Sequence, residues 1–327
     1  MPPLLCVNDL KVYYFGFRGS RVVKAVDGIS FSLEAGETFG LVGESGCGKT
    51  TTCYSIVRLL SPTARIVSGR VELEGEDLME KSQGEMRAIR GRVIATILQD
   101  PMASLDRLFS IYDQVAEPAY YHRSLRGQRL RQRVRELLTA VRIPSPEIRM
   151  KEFPHQMSGG MRQRIVGAIA QAGGPKIIIA DEPTTNLDVT IQLQYLNLLK
   201  DLQRASGAAL IFVTHNLGIV AKMCDKVAVM YAGKIVEMQS VRGLFYHPKH
   251  PYTRALLDSM PKLGTKEPLC AIPGHPPDPA SLPTGCSFHP RCSHAMERCR
   301  SEEPWEQRLD DGGTTKCWLS IQEAERE

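Results

Sequence analysis

The sequence predicts an α/β protein in which short apolar strands alternate with amphipathic helices. A helical insert is expected over about residues 101–171, and an irregular extension rich in proline and cysteine over residues 247–327. Three observations predict this. Compact apolar runs at 38–42, 93–98, 177–180 and 208–214 read as buried strands, with helically spaced segments between them. Residues 101–171 lose that alternation and become rich in Arg, Gln and Leu. Ten of the 21 prolines fall between Pro248 and Pro290, a density that opposes helix and sheet and predicts an extended wrap.

Taken in order, residues 4–42 predict short strands at 22–26 and 29–33, punctuated by Gly28 and Gly36, and a last one at 38–42 that runs into a glycine-rich turn. Residues 50–60 have helical spacing and stop before Pro62. A strand at 71–73 precedes the one at 93–98, and a helix at 189–205 precedes the one at 208–214. Residues 223–230 and 235–238 close the region as a strand pair. Within the insert, Leu130, Val134, Leu137, Leu138 and Val141 recur at helical spacing, interleaved with arginines at 123, 126, 129, 131, 133 and 135. That predicts an amphipathic helix with a solvated basic face; contact with a phosphate backbone or a membrane partner is the alternative.

Composition narrows the class. With 43% hydrophobic and 24% charged residues, disorder, collagen and coiled coil are excluded as overall descriptions. The apolar run 208–213 is far short of the ~20 residues of a membrane-spanning helix. Residues 1–11 show neither a basic leader nor a signal-type apolar core, so a cytoplasmic location is expected, with any membrane work done through a partner. A net charge of +5 over 327 residues argues only weakly for nucleic acid. Nine cysteines are too sparse for a disulfide scaffold, yet Cys286, Cys292, Cys299 and Cys317 crowd the C-terminal end. The others, Cys6, Cys47, Cys53, Cys224 and Cys270, read as small buried or loop residues.

Gly43-Glu44-Ser45-Gly46-Cys47-Gly48-Lys49-Thr50 matches G-x-x-x-x-G-K-[ST] between an expected strand and helix. Glycines at this spacing let successive backbone N–H groups turn inward around a β-phosphate, and the helix N-terminus adds partial positive charge. Lys49 can then reach the β- and γ-phosphates and the Thr50 hydroxyl can ligate Mg²⁺, with Thr51 beside it. An apolar strand ending in acid should complete such a site. Residues 177–182 supply it, with Asp181 for Mg²⁺ and Glu182 as general base for the attacking water.

Four further segments resemble the ATP-binding cassette (ABC) ATPases. Ser158-Gly159-Gly160-Met161-Arg162-Gln163-Arg164 is similar to the signature sequence of that family, and Gln99 to its Q-loop glutamine. Pro183-Thr184-Thr185-Asn186-Leu187-Asp188 resembles the D-loop, and His215 the switch histidine. Order and spacing fit over residues 4–240. The resemblance implies a P-loop NTPase core over residues 1–246, with an antiparallel β subdomain and a helical subdomain. It also implies a two-subunit sandwich, in which Lys49 and Thr50 of one subunit hold ATP against Ser158, Gly159, Gly160, Gln163 and Asp188 of an identical or related second ATPase. Gln99 would join Thr50 and Asp181 at Mg²⁺, His215 would hold the γ-phosphate in register, and the surface after Gln99 would grip a membrane subunit. An aromatic should stack on adenine; Tyr13, Tyr14, Phe15 and Phe17 compete, and Tyr14 is chosen.

Residues 247–317 resemble the C-terminal extension of dipeptide and oligopeptide importer ATPases, on His250-Pro251-Tyr252-Thr253, Ile272-Pro273-Gly274, Gly285-Cys286-Ser287-Phe288 and Pro290-Arg291-Cys292. In that subfamily four cysteines can bind a [4Fe–4S] cluster. The spacing here lacks a zinc-ribbon knuckle, which leaves zinc as the alternative, with His289 and His294 as substitute ligands, and free thiols as a third reading. The implied function is ATP hydrolysis coupled to peptide import, on the cytoplasmic face of a membrane. Two membrane-spanning permease subunits and, indirectly, a solute-binding protein would be its partners, with no nucleic acid. Import of nickel, glutathione or oligosaccharide competes, as does a soluble ABC ATPase acting on nucleic acid.

Overall fold

The computed structural model describes residues 2–16, 21–185, 187–261, 271–310 and 312–324. The chain divides into two compact units, residues 1–33, 38–79 and 214–327 in the first, and 34–37 and 80–213 in the second. The first unit opens with β1 (Leu5–Phe15), β2 (Val22–Leu33), β3 (Thr38–Val42), α1 (Lys49–Ile56), β4 (Ala64–Leu73) and β5 (Glu76–Asp77). The second follows with α2 (Gln83–Ile89), β6 (Ile94–Ile97), α3 (Pro101–Ser104), α4 (Ile111–Arg123), α5 (Gly127–Ala140) and α6 (Pro146–Arg149). It ends with α7 (Gly159–Ala172), β7 (Ile177–Asp181), α8 (Val189–Ser206) and β8 (Ala209–Thr214). The first unit then resumes with α9 (Leu217–Met223), β9 (Lys226–Tyr231), β10 (Lys234–Ser240), α10 (Val241–Tyr246) and α11 (Pro251–Asp258). Its last elements are α12 (Glu297–Ser301), β11 (Gln307–Arg308), β12 (Thr314–Thr315) and α13 (Trp318–Ala324).

In the first unit, β2, β1, β4 and β5 form an antiparallel sheet in that order. Leu5, Val7, Leu10 and Val12 of β1 are fully buried, and the period slips around Asp9 (φ +44°), where the register between β1 and both neighbours shifts. The expected pieces 22–26 and 29–33 are one continuous strand, because Gly28 is accommodated as an irregularity of the pairing and does not end it. The expected strand at 71–73 is the end of a ten-residue strand, β4, whose earlier residues, Ala64 to Arg70, place apolar and polar side chains without a regular alternation. Strand β3 runs parallel to β9, Phe39↔Lys226 through Val42↔Val229, and β10 folds back antiparallel on β9.

The C-terminal extension continues this unit's hydrogen bonding: β12 pairs antiparallel with β10 (Glu237↔Thr315, Met238↔Thr314), and β11 with β12. The proline-rich stretch is not wholly extended. It contains α11, which starts with Pro251 at its first position, where the missing N–H costs nothing, and is capped by the His250 side chain accepting from Tyr252 N–H.

The second unit has a parallel sheet, β6–β7–β8, with Ile94↔Ile177 and Ile177↔Ala209 in register. Both outer faces of β7 and β8 are buried, which explains their uninterrupted apolar sequence. Between β6 and β7 lie the helices α3 to α7. Leu130, Val134, Leu137 and Leu138 of α5 face inward, and its arginines find local acids: Arg131 and Arg135 meet Glu147, and Arg133 meets Glu136. The run is divided between elements: Arg123 ends α4, Arg126 precedes α5, Arg129, Arg131 and Arg135 are exposed on α5, and Arg133 is half-buried.

Candidate nucleotide site and thiol pocket

In the first unit, residues 43–50 leave β3 and turn into α1 through three glycines at positive φ: Gly43 (+152°), Gly46 (+82°) and Gly48 (+109°). A Cβ on Gly43 would stand 2.2 Å from the Met230 carbonyl oxygen, and one on Gly48 2.1 Å from that of Ala25. At Gly46 a Cβ would meet nothing within 4 Å, so that side of the loop faces open space. Lys49 is buried and its Nζ donates to the carbonyls of Gly43 (2.8 Å) and Glu44 (3.0 Å), which draws the lysine head into the loop. The Cys47 thiol, 3.7 Å from that Nζ, is pushed up by burial. Ser45 and Thr50 are exposed at the loop's rim, and Thr51 is buried behind them.

The aromatic candidates separate. Tyr13 donates its hydroxyl to Asp27 (2.6 Å), and burial first, then that carboxylate, push it up to about 12. The ring of Phe15 lies against Arg65. Tyr14 reaches α1, its hydroxyl 3.2 Å from Thr51 Oγ1. Phe17 lies outside the described residues, as do Asn186 and Cys270. His215 is exposed in the turn after β8, before Asn216 caps α9 by accepting from Gly218 and Ile219.

In the second unit, Asp181 ends β7 and is buried. Glu182, the expected general base, follows in the left-handed region (φ +45°), a strained backbone position for a residue with a side chain. Gln99 Nε2 donates to its carboxylate at 3.4 Å and Thr185 Oγ1 at 2.9 Å. The Q-loop and D-loop residues are thereby joined to the expected base. Ser158 caps α7 by accepting from Met161 N–H, and Ser158 and Gly159 are exposed at that helix start. Gln163 does not share their exposure. It sits one turn in, 1% exposed, on the buried face of α7, so it is not presented to a second subunit as the signature resemblance implied. Asp188 caps α8 through Thr190 and Ile191 N–H.

All four clustered cysteines line one small cavity in the first unit, together with His289, His294, Phe288 and Trp318. Trp318 and Ile321 pack on Cys299, and Cys286 N–H donates to the Cys299 carbonyl. The Cys286 thiol is pushed up to about 12, by burial first and by the neighbouring thiols as well. Among the described residues no three or more His, Cys, Asp or Glu are arranged to grip a single metal ion. A cubane spreads its four thiolates over four irons, and four converging thiols are the donor set it needs.

Sequence reasoning missed two residues of the phosphate loop's surroundings. Tyr252 Oη accepts the Glu44 N–H (3.0 Å), and Arg291 forms a two-pronged pair with the Glu44 carboxylate, Nη1–Oε2 2.7 Å and Nη2–Oε1 3.0 Å. They stand 208 and 247 residues away in the chain, and only their place in the tail's short motifs marked them out.

A glycine-built phosphate loop on one unit, and a capped signature helix and strand-end carboxylate on the other, define an ATP-binding cassette. A model of the ABC transporter family matches residues 26–185, and one of the oligopeptide/dipeptide transporter C-terminal region matches residues 236–299. The dipeptide transport ATP-binding protein DppD of Bacillus subtilis is 46% identical, over 99% of this chain and 97% of its own length. The oligopeptide transport ATP-binding protein OppD of the same organism is 46% identical, over 97% of this chain and 88% of its own. Among solved structures, the dimeric structure of a post-hydrolysis state of the ATP-binding cassette MJ0796 bound to ADP and Pi matches with TM-score 0.65 at 25% identity, covering 73% of this chain and 99% of that one. The cbiO1 cassette of Clostridium perfringens gives 0.64 at 27% identity, covering 76% and 92%. The chain belongs to the ABC transporter ATPases of the oligopeptide/dipeptide type. It is an ATPase.

Proposed function

We propose that this chain drives import of di- and oligopeptides, hydrolysing ATP in a sandwich with a second cassette while seated peripherally on a membrane permease. The observation that carries it is the pairing of a complete phosphate loop with a tail of the peptide-transporter type on one chain. The named peptide-transport relatives at 46% identity support the choice of solute. Among the described residues no helix is long and apolar enough to cross a membrane, so a permease would supply the pore. A groove in the second unit offers a seat for it. The cavity, about 540 Å³, is lined by Phe109, Tyr112, Tyr120 and Tyr121 with Asp106 and Glu117, and begins just after α3. Its aromatic and acidic lining fits an apolar segment carrying basic side chains.

Lys49 and the loop N–H groups would bind the β- and γ-phosphates, Tyr14 would stack on adenine, and Ser158 with Gly159 and Gly160 would close on the γ-phosphate from the second cassette. Thr50, Gln99 and Asp181 are hard oxygen donors that suit Mg²⁺, which supplies charge neutralisation at the phosphates. Glu182 would take the proton of the attacking water, His215 would hold the γ-phosphate, and Asp188 would contact the opposing cassette. Cys286, Cys292, Cys299 and Cys317 would hold a [4Fe–4S] cluster, a structural clamp for a tail with little core of its own.

Glu182→Gln keeps the side chain's shape and its Thr185 contact while removing the base. Phosphate release should fall by about 10²–10⁴-fold with ATP still bound and the dimer trapped. Turnover at the wild-type rate would overturn the assignment, and failure of the reconstituted importer to take up labelled dipeptides would overturn the solute.

A further inference from the structure

The short helical turn His289–Arg291 lies between two of the pocket cysteines, Cys286 and Cys292, and is bonded to both: His289 N–H donates to the Cys286 carbonyl, and Cys292 N–H to that of His289. Arg291 leaves this turn and reaches the phosphate loop. Its side chain is 5% exposed and its donors are committed, Nε to the Pro273 carbonyl (2.8 Å) and both terminal nitrogens to Glu44. Phe288, from the same segment, packs on Tyr231 and Tyr252, and Tyr252 receives the Glu44 N–H. The Glu44 carbonyl meanwhile accepts from Lys49 Nζ. Every polar group of Glu44 is thus engaged, its carboxylate and N–H by the tail and its carbonyl by the phosphate-binding lysine. A continuous path of bonds runs Cys292, Arg291, Glu44, Lys49.

A partly buried ion pair that served only to dock the tail could grip any part of the surface. This one grips the second residue of the phosphate loop from two directions, with a planar two-pronged geometry that fixes orientation as well as distance. We propose that Arg291 is a positioning residue that makes the phosphate loop and the four-thiol pocket sense one another. A tail held closed over its thiols presents Arg291 to Glu44, and this holds the loop in the shape that receives the triphosphate. Linkage requires the reverse with equal strength: nucleotide on the loop holds the thiol pocket closed. The proposal rests on the nucleotide reading of the loop and on the placement of the four cysteines, whatever fills their pocket.

The test uses the full chain with a non-hydrolysable ATP analogue and Mg²⁺. One measurement is the dissociation constant of the analogue. The other is the rate at which iodoacetamide alkylates Cys286, Cys292, Cys299 and Cys317, read by mass spectrometry with and without the analogue. In the wild type, saturating analogue should slow alkylation about tenfold, within the usual range of coupling between sites. Arg291→Gln, which breaks the latch from the tail, and Glu44→Gln, which breaks it from the loop, should each weaken analogue binding about tenfold and abolish the protection. The double variant should be no worse than either single one, and Arg291→Lys should recover part of the effect. Tail docking alone would speed alkylation in Arg291→Gln but leave the protective effect of nucleotide intact. That result, or unchanged analogue affinity in both variants, overturns the proposal. Iron and sulfide content of the same preparations reports separately on the cluster, and analogue binding by the wild type reports separately on the nucleotide site.

Discussion

His250 should make the tail's attachment acid-labile by a calculable amount. Its ring is 1% exposed, caps α11 through Nδ1 accepting from Tyr252 N–H (3.0 Å), and packs against Phe288. Burial first, and Arg254 second, depress its pKa from 6.5 to about 3. A base depressed on folding is neutral in the native state while the unfolded chain takes up the proton, so stability is full above pH about 6.5 and is lost as pH falls toward 3. Between pH 7 and pH 5 this amounts to about 2 kcal/mol. Glu237 faces His250 directly, accepting its backbone N–H at 2.8 Å, and burial raises the Glu237 carboxyl; a raised acid gains stability as pH falls. The raw slopes therefore oppose, and the difference from a variant isolates the histidine. His250→Asn retains a capping oxygen but does not titrate. Urea unfolding followed by tryptophan fluorescence reads the tail, because both tryptophans, Trp305 and Trp318, lie there. The wild type should lose about 2 kcal/mol more than His250→Asn between pH 7 and pH 5. Equal losses would refute the buried neutral histidine.

Gly48→Ala should abolish ATP binding, since its Cβ would lie 2.1 Å from the Ala25 carbonyl oxygen at φ +109°; equilibrium dialysis with labelled ATP checks it, and retained binding would show the loop can shift. Phe109→Asp with Tyr121→Asp, at side chains 54% and 70% exposed, should weaken association with the permease by about 30-fold or more, measured by co-purification, and unchanged association would remove the groove as its seat. Protein purified without oxygen should be brown, absorbing near about 400 nm, and Cys292→Ser should lose both colour and iron; equimolar zinc with no iron would replace the cluster reading.

The chemistry was more legible than the scaffold. Gly43, Gly48 and Lys49 must be close in sequence because one turn wraps one phosphate, and Asp181 with Glu182 must follow a buried strand, so each motif announced itself locally. Strand β4 did not, because Arg65, Ser68 and Arg70 interrupt any apolar period and are carried by pairing to β1. Helix α11 was hidden by proline counting, which ignores that a proline at the first helical position is harmless. Gln163 shares the signature-like stretch with Ser158, whereas helical geometry turns it to the buried side of α7. The Arg291–Glu44 pair joins two residues whose types say nothing of each other, and only tertiary structure brings them together.

The tail's hold on β10 has a consequence for the integrity of the cassette. Glu237 is fully buried and takes the backbone N–H groups of Lys249 and His250, just past residue 246, while β12 covers the edge of β10. A chain cut there would take those donors from the Glu237 carboxylate, uncover it, and open a strand edge to pairing between molecules. The segment beyond α10 is in this sense part of the wall of the nucleotide-binding unit, and a chain ending at α10 would present a new strand edge and a carboxylate that the full chain keeps covered.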